Sequence, residues 1–388
     1  MSNKKSMECM DNKPKRNILK ELSTIGISDV FGMGISAIFW FFIASQVEVE
    51  EYGELHYFIG IAGFAFGIAL IGTQNVVTVF TAKKVKIQST LFIISLIAGT
   101  VAAILVFIFS GRLDSGILVL AFIINDLALG FLIGQKNFSS YGKCIVIQKI
   151  IAVGLGLIFY YMFGIEGIII AIALSYIHFS IFVYRGIKNS KFNFKLLKSN
   201  SPFIFNNWAV SLVSVSRHHL DKIILVPLLG LTVMGNYALA LQFWAVLVVF
   251  TGIFFKYILT YDSSGISNKK LKIIAVFGSI GLAILGMTIP PIIIPIFFEK
   301  YTESIIAVQI MSLGIIPQVI DKIYLSKSLS LQKSRMVLVS RAVSAITLIS
   351  GILLIGQMYG VAGIAVSFVL SLVFQTLIMS IANMRKVD

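Results

Sequence analysis

The sequence predicts an all-α integral membrane protein of about twelve transmembrane helices, arranged as two six-helix lobes related by a parallel repeat. Three observations carry that prediction. Hydrophobic residues make up 57% of the 388 residues and charged ones only 13%, about half the share of roughly 25% usual in soluble domains. Twelve apolar stretches follow one another, each long enough, at about 20 residues, to cross a hydrocarbon core of roughly 30 Å. Finally, sequence motifs recur at an interval of six such stretches.

The stretches cover residues 22–46, 55–81, 88–110, 116–134, 144–163, 166–185, 202–229, 235–260, 271–296, 302–325, 335–357 and 361–383. A basic tail, residues 1–20, precedes the first, which is too long for a signal-peptide core and lacks a small-residue cleavage site. An acidic segment, EVEEYGE, joins the first two spans. Pro290, Pro291 and Pro295 break the ninth near its end, where irregular backbone is tolerated if sheltered or wet. Lysine and arginine fall on alternate connections: Lys4, Lys5, Lys13, Lys15, Arg16 and Lys20, then Lys83, Lys84 and Lys86, then Lys136 and Lys143. They continue at Arg185, Lys188, Lys191, Lys195 and Lys198, at Lys269, Lys270 and Lys272, at Lys327, Lys333 and Arg335, and at Arg385 and Lys386. The other side carries only Arg112 and Lys300. The positive-inside rule therefore puts both termini in the cytoplasm, with anionic lipid as a secondary contact, and the expected location is the plasma membrane. No basic segment interleaves aromatic residues on a soluble module, so nucleic acid is not an expected partner of the +15 net charge. Cys9 and Cys144 both fall on the cytoplasmic side, where a structural disulfide is not expected. The four scattered histidines offer no metal-ligand spacing, and no cofactor is expected.

MFGIEGIIIAIALS (162–175) and MYGVAGIAVSFVLS (358–371) share Met, both glycines, Ile, Leu and Ser at an offset of 196. VEEYGELHYF (49–58) lies over LTVMGNYALA (231–240), with Gly53 on Gly235 at an offset of 182. Asp126 lies over Asp321, and Gln135-Lys136 then matches Gln332-Lys333 after a small gap. Six spans are an even number, so both copies enter from the same side and are related by an axis along the membrane normal. The implied organisation is a tail (1–20), an N-lobe (21–186), a basic connection (187–201) and a C-lobe (202–388).

One span is unlike the others. SPFIFNNWAVSLVSVSRHHLDKIILVPLLG, residues 201–230, carries Arg217, His218, His219, Asp221 and Lys222 in an otherwise apolar helix. A charge at the bilayer centre costs at least about 2.5–3.5 kcal/mol on insertion scales, so such residues pair or face a wet cavity. With Arg217 at zero on a helical wheel, Asp221 falls at about 40°, Ser214 at about 60°, Asn207 at about 80°, His218 at about 100°, Ser211 at about 120° and Lys222 at about 140°. That stripe is roughly 22 Å long; His219, at about 200°, lies off it and should matter least. Within the bilayer span 1 offers only Asp29 and Ser36, so the cationic charge is expected to belong to the C-lobe alone.

The segments ISDVFGMGISAIFWFFIASQVEVEEYGELHYFIGIAG, GTQNVVTVFTAKK and SRHHLDKIILVPLLGLTVMGNYALALQF resemble helices one, two, seven and eight of the Wzx-type polysaccharide flippases. These belong to the multidrug/oligosaccharidyl-lipid/polysaccharide exporter superfamily. FGIEGIIIAIALSY and YGVAGIAVSFVLS resemble that family's sixth- and last-helix motifs, and the likeness extends from about Ile18 to Arg385. The resemblance implies the two-lobed fold of the multidrug and toxic compound extrusion proteins. It also implies movement of polyprenyl-pyrophosphate-linked glycan between leaflets, with a polysaccharide polymerase or glycosyltransferases as further partners. The His218-His219 pair departs from the apolar or small residues more common there, which leaves the substrate class open.

Two readings of the stripe stand side by side. Arg217 and Asp221, at i and i+4, can neutralise each other as a structural pair. Alternatively Arg217, His218 and Lys222, with Asn207, Ser211 and Ser214, line a cavity and hold a pyrophosphate, which suits the guanidinium fork. Asp221, Asp29, Asp126 and Asp321 are candidates for a gate or for H+ or Na+ coupling. Gln74 and Asn75 are polar residues that either bond between helices or touch sugars. Gly60, Gly63 and Gly67 point to close helix packing, and Lys256 and Arg341 to snorkelling. A flippase accounts for most of these features. A cation or drug exporter on the same fold, or a membrane glycan polymerase or transferase, is the alternative. The first alternative calls for acidic cavity residues, the second for long outer loops or a carboxylate active site.

Overall fold

A computed structural model describes residues 26–188, 190–263, 269–330 and 334–384, and all regular structure among them is helical. The N-terminal tail with Cys9, the Gln332-Lys333 match and the side chain of Lys256 lie outside the described residues. The first helix, α1, is Gly26–Gln46. Helix α2 is Val49–Ala69, continued after a 41° bend by Gln74–Ala82. Then come α3 (Gln88–Ser110), α4 (Leu113–Gly134), α5 (Phe138–Phe163) and α6 (Ile165–Lys188). The helical stretch Ser201–Ser263 leaves helical geometry at Gly230 (φ 86°, ψ 175°), which divides it into α7 (201–229) and α8 (231–263). Helix α9 is Lys269–Thr288, followed by the short Pro290–Phe297 helix that the prolines start, and α10 is Ser304–Ser328. Helix α11 is Ser334–Gly351, extended through a π turn at Ile352–Gly356, and α12 (361–384) begins beyond Gly360.

Among the described residues nine helices are long and apolar enough to cross a membrane, or ten with the bent pair. Two of these, 52 and 46 residues long, would measure roughly 70–80 Å if straight, about twice a bilayer. Each is broken by a glycine, Gly230 or Gly360, into two helices of crossing length, so that twelve helices or bent pairs among the described residues are long enough to cross. Ile38, Phe109, Phe277 and Leu354 are exposed on the outside of the bundle, where a membrane would cover them. The acidic segment starts the second helix, as its sequence suggests: Glu48 is the N-cap of α2 and forms a capping box with Glu51.

The repeat is visible in the backbone. Gly164 (φ 68°, ψ −153°) and Gly360 (φ 55°, ψ −133°), matched at the 196-residue offset, adopt the same left-handed turn. A side chain there is strained by roughly 1–3 kcal/mol. Gly53 and Gly235, matched at the 182-residue offset, touch each other across the two halves. A Cβ on Gly53 would press into the Leu231 carbonyl and come within 2.9 Å of Gly235 N, while one on Gly235 would press into the Val49 carbonyl. This seam of α2 against α8 closes the acidic face. It is reinforced by Lys300 Nζ on Glu48 Oε1 (2.6 Å), by Thr232 Oγ1 donating to Glu50 Oε1 (2.9 Å), and by edge-on packing of Tyr52 and Tyr301 at 5.9 Å. The hydrogen bond to Glu48, with the charges of Glu48, Glu51 and Glu299, raises the Lys300 pKa against the opposing effect of desolvation, so the ammonium stays charged. Beside the seam, Arg112 joins three helices through Glu54 (3.0 Å), Asp114 (2.8 Å) and Glu166 (3.1 Å).

Candidate functional site

A cavity of about 760 Å³ lies between the halves. It is lined by Asp29, Gly32, Met33 and Ser36 of α1, Lys149 of α5, Arg217, His218, Asp221 and Lys222 of α7, Gln242 and Trp244 of α8, and Gln318 of α10. These positions lie around the middle of their helices, and Asp29 lies near the basic end of α1. The opposite end is shut by the Gly53–Gly235 seam, so the cavity faces the basic side.

The upper part of the predicted stripe is thus gathered in the cavity, as is Asp29. Asn207, Ser211, Ser214, Gln74, Asn75, Asp126 and Asp321 are not among its lining residues. Asn207 Nδ2 and Ser214 Oγ bond back to the carbonyls of Phe203 (2.9 Å) and Val210 (3.0 Å), four residues earlier on their own helix. Gln74 serves through its backbone instead. The bend in α2 frees N–H groups that must find partners inside a membrane. Gln74 N donates to Asp126 Oδ2 at 2.7 Å and Gly72 N to Ser95 Oγ at 2.9 Å. Asp126 therefore seals a broken helix in the N-terminal half.

Its repeat counterpart, Asp321, has a different partner. Asp321 is fully buried and accepts from Arg341 Nη2 at 3.0 Å. Arg341 is therefore tied inward and does not snorkel, because an unpaired buried carboxylate would cost far more than the reach to the interface returns. One turn along α11, Ser344 Oγ accepts from Arg217 Nε at 2.9 Å.

Arg217 and Asp221 do not pair with each other as the i,i+4 spacing allows. Asp221 accepts from Tyr237 OH (2.9 Å), from Lys222 N (2.8 Å) and from Lys222 Nζ (3.3 Å). Lys222 Nζ also donates to the His218 carbonyl at 2.6 Å. That leaves Arg217 Nη2 buried with no hydrogen-bond partner among the described residues and the His218 ring exposed to the cavity. His219 points away, its ring seated over Gly63 of α2, while Lys222 Cβ would meet a Cβ on Gly60 at 3.0 Å. The glycine stripe of α2 therefore brings α7 close, and α7 in turn aims its basic groups into the cavity.

The cationic charge is not confined to the C-terminal half. Lys149, which sequence reasoning passed over, lines the cavity from α5. It has no hydrogen bond or ion pair among the described residues, and its stem lies 3.4 Å from where a Cβ on Gly32 would be. A lone lysine in the middle of an apolar span carries a cost that could have drawn attention to it. Facing it, Asp29 Oδ1 accepts from Tyr141 OH at 3.4 Å. The cavity therefore presents a lysine from one half and an arginine, a histidine and a lysine from the other, with Gln242 and Gln318 between. Such a surface suits an anion with several oxygen atoms.

No sequence family matches the chain, and no curated protein does. Solved structures do. The chain is similar to the lipid II flippase MurJ in an inward closed conformation, at a TM-score of 0.68 and 14% identity over 94% of this chain and 87% of that one. It is similar to an inward-facing multidrug resistance MATE transporter of the MOP superfamily, at 0.64 and 13% over 92% and 96%. A third match, at 0.62 and 14% over 94% of each chain, is a MOP superfamily transporter from Pyrococcus furiosus described as having a binding pocket of reverse polarity. These matches cover nearly the whole chain, which has the MATE-like fold.

Proposed function

We propose that this protein is a flippase that carries a polyprenyl-pyrophosphate-linked glycan, a polysaccharide repeat unit, between leaflets by alternating access. The basic face is the cytoplasmic one, and the cavity receives the head group from there while the polyprenyl tail stays in lipid. The observation that carries the proposal is a mid-helix cavity lined by basic side chains from both halves, Lys149 from one and Arg217, His218 and Lys222 from the other, with Lys149 unpartnered among the described residues. An unpartnered charge at that depth is costly, and a diphosphate placed between the halves would relieve it at Lys149 while meeting the basic residues opposite. The likeness to a lipid II flippase supports the same reading. The resemblance to Wzx-type proteins points to a glycan repeat unit as cargo, with a polymerase or glycosyltransferases acting before and after.

A cation or drug exporter is less well supported. Of the two cavity carboxylates, Asp221 is neutralised by Lys222 and Tyr237, and Asp29 is outnumbered by Lys149, Arg217, His218 and Lys222. Ion coupling has least room at Asp221 and Asp321, which already have basic partners. Arg217→Gln with Lys222→Gln, and separately Lys149→Gln, should abolish or strongly reduce glycan export in a flippase-null strain while the protein still reaches the membrane. Undiminished export in both would sink the proposal. Lipid-linked glycan accumulating on the cytoplasmic face of a deletion strain is the independent check.

A further inference from the structure

A second cavity, of about 880 Å³, opens on the basic face at the ends of α2 and α4, and shares no lining residue with the central one. It is lined by Thr81, Lys84, Lys86, Gln88, Lys136 and Asn137, among others. Two turns form it: the one from α2 to α3, which carries Lys84 and Lys86, and the one from α4 to α5, which carries Lys136. They are held side by side by Thr78 Oγ1 donating to the Gly130 carbonyl at 3.1 Å.

Three features set this pocket apart from an ordinary basic loop. First, Lys84 (φ 57°) and Lys136 (φ 59°) are the non-glycine residues with left-handed backbone among the described residues, and both line it. That conformation costs roughly 1–2 kcal/mol for a side chain such as lysine, and glycine or asparagine would fit more easily. Topology needs only that lysines be on this side; it does not need two of them in strained backbone around one hollow. Second, α3 begins in the pocket at Gln88 with no side-chain cap on its preceding residue, so the positive end of a 23-residue helix meets the lysines. Third, Gln88 is only 3% exposed, and its Oε1 has no partner among the described residues although its Nε2 reaches Thr81 Oγ1 at 3.3 Å. The two amide atoms are assigned by their bonding network. Either assignment leaves one buried amide atom without a partner among the described residues, in a side chain that lines the pocket.

We propose that this pocket binds a phosphate-bearing anion, and that the anionic phospholipid head group of the leaflet on the basic face is its source. Lys84, Lys86 and Lys136 would hold the phosphate over the α3 N-terminus, beside the Gln88 side chain. The pocket adjoins the link between the halves: Ser89 N donates to Ser190 Oγ at 2.9 Å, and Asn193 N to Thr90 Oγ1 at 2.8 Å. A bound head group would therefore brace the point where that link docks on α3.

The test uses the full-length protein in neutral detergent, with short-chain phosphatidylglycerol, short-chain phosphatidylcholine and inorganic phosphate as probes. Phosphatidylglycerol should raise the melting temperature of the wild type, and phosphatidylcholine should not. Lys84→Asn with Lys136→Asn should weaken the apparent affinity roughly 30-fold, at about a fivefold factor per lysine. Without lipid that variant should melt no lower than wild type, since asparagine tolerates the left-handed turn. Lys83→Asn with Lys143→Asn removes the same charge from exposed lysines outside the pocket and should leave the lipid effect intact. Lys86→Gln, an exposed single change, should weaken binding about fivefold and serves if the double variant is not recovered. The same pattern with inorganic phosphate alone would keep the anion site and name free phosphate as the source. Equal losses in both lysine pairs, or no stabilisation of wild type by either anion, would overturn the proposal.

Discussion

Closure of the acidic face rests on a contact that leaves no room for one methyl group, and Gly53→Ala tests it. The added Cβ would press into the Leu231 carbonyl and lie 2.9 Å from Gly235 N and 3.1 Å from Leu231 C. All three are backbone atoms of α8 and cannot rotate aside, whereas carbon atoms in contact prefer about 3.5–4.0 Å. The helices must separate, and overpacking of this kind costs about 1–3 kcal/mol. The penalty applies only while the face is shut, so the ratio of shut to open should fall roughly 5- to 150-fold. A cysteine at Gln242, with Cys9 and Cys144 replaced by serine, reports the change through labelling by a membrane-impermeant thiol reagent added from the acidic side. Labelling should rise in Gly53→Ala and equally in Gly235→Ala, whose Cβ would press into the Val49 carbonyl. Unchanged labelling in both variants, with the protein folded, would refute the reasoning.

Three further outcomes follow from the same geometry. Asp321→Asn should destabilise the C-terminal half by about 3–5 kcal/mol by leaving Arg341 unpaired in a buried site, and adding Arg341→Gln should restore part of the loss in a thermal melt. Gly164→Ala and Gly360→Ala should each cost about 1–3 kcal/mol and lower the melting temperature by similar amounts; a large inequality would break the structural equivalence of the two turns. The Lys300 pKa is raised in the folded protein, so its contribution to closure is complete below the unfolded lysine value of about 10.4 and is lost as pH rises through the higher folded value. The labelling assay should therefore show no effect of Lys300 ionisation from about pH 7 to 9 and a rise only in strong alkali.

Much of this was legible in the residues because membranes impose strong local rules. Run length marked the spans, and glycines at fixed offsets marked the repeat. The cationic stripe stood out because charge in an apolar helix has few explanations. What stayed hidden depended on which neighbours a face meets. Arg217 could have been neutralised by Asp221 one turn away, yet the partners that decide the matter come from other helices. Tyr237, which takes up Asp221, belongs to α8, and Ser344, which takes up Arg217, belongs to α11. Asp126 and Asp321 occupy matching positions but found a backbone N–H in one half and a guanidinium in the other. Lys149 escaped notice because a single charge shows no periodicity, and only the fold turns it into the cavity that Arg217 lines.

The Gly53–Gly235 contact has a consequence for how the two halves can change. Equivalent residues can meet only where the relating axis passes, so this seam is isologous in the sense used for two-fold dimers. A self-complementary surface cannot treat its two sides differently, and any enlargement of one glycine is felt at once by the other. Away from the axis no such bond exists, and there the halves have diverged: α7 brings three basic residues to the cavity where α1 brings an aspartate. The seam ties the halves to a common shape, while away from it their cavity-lining residues are free to differ.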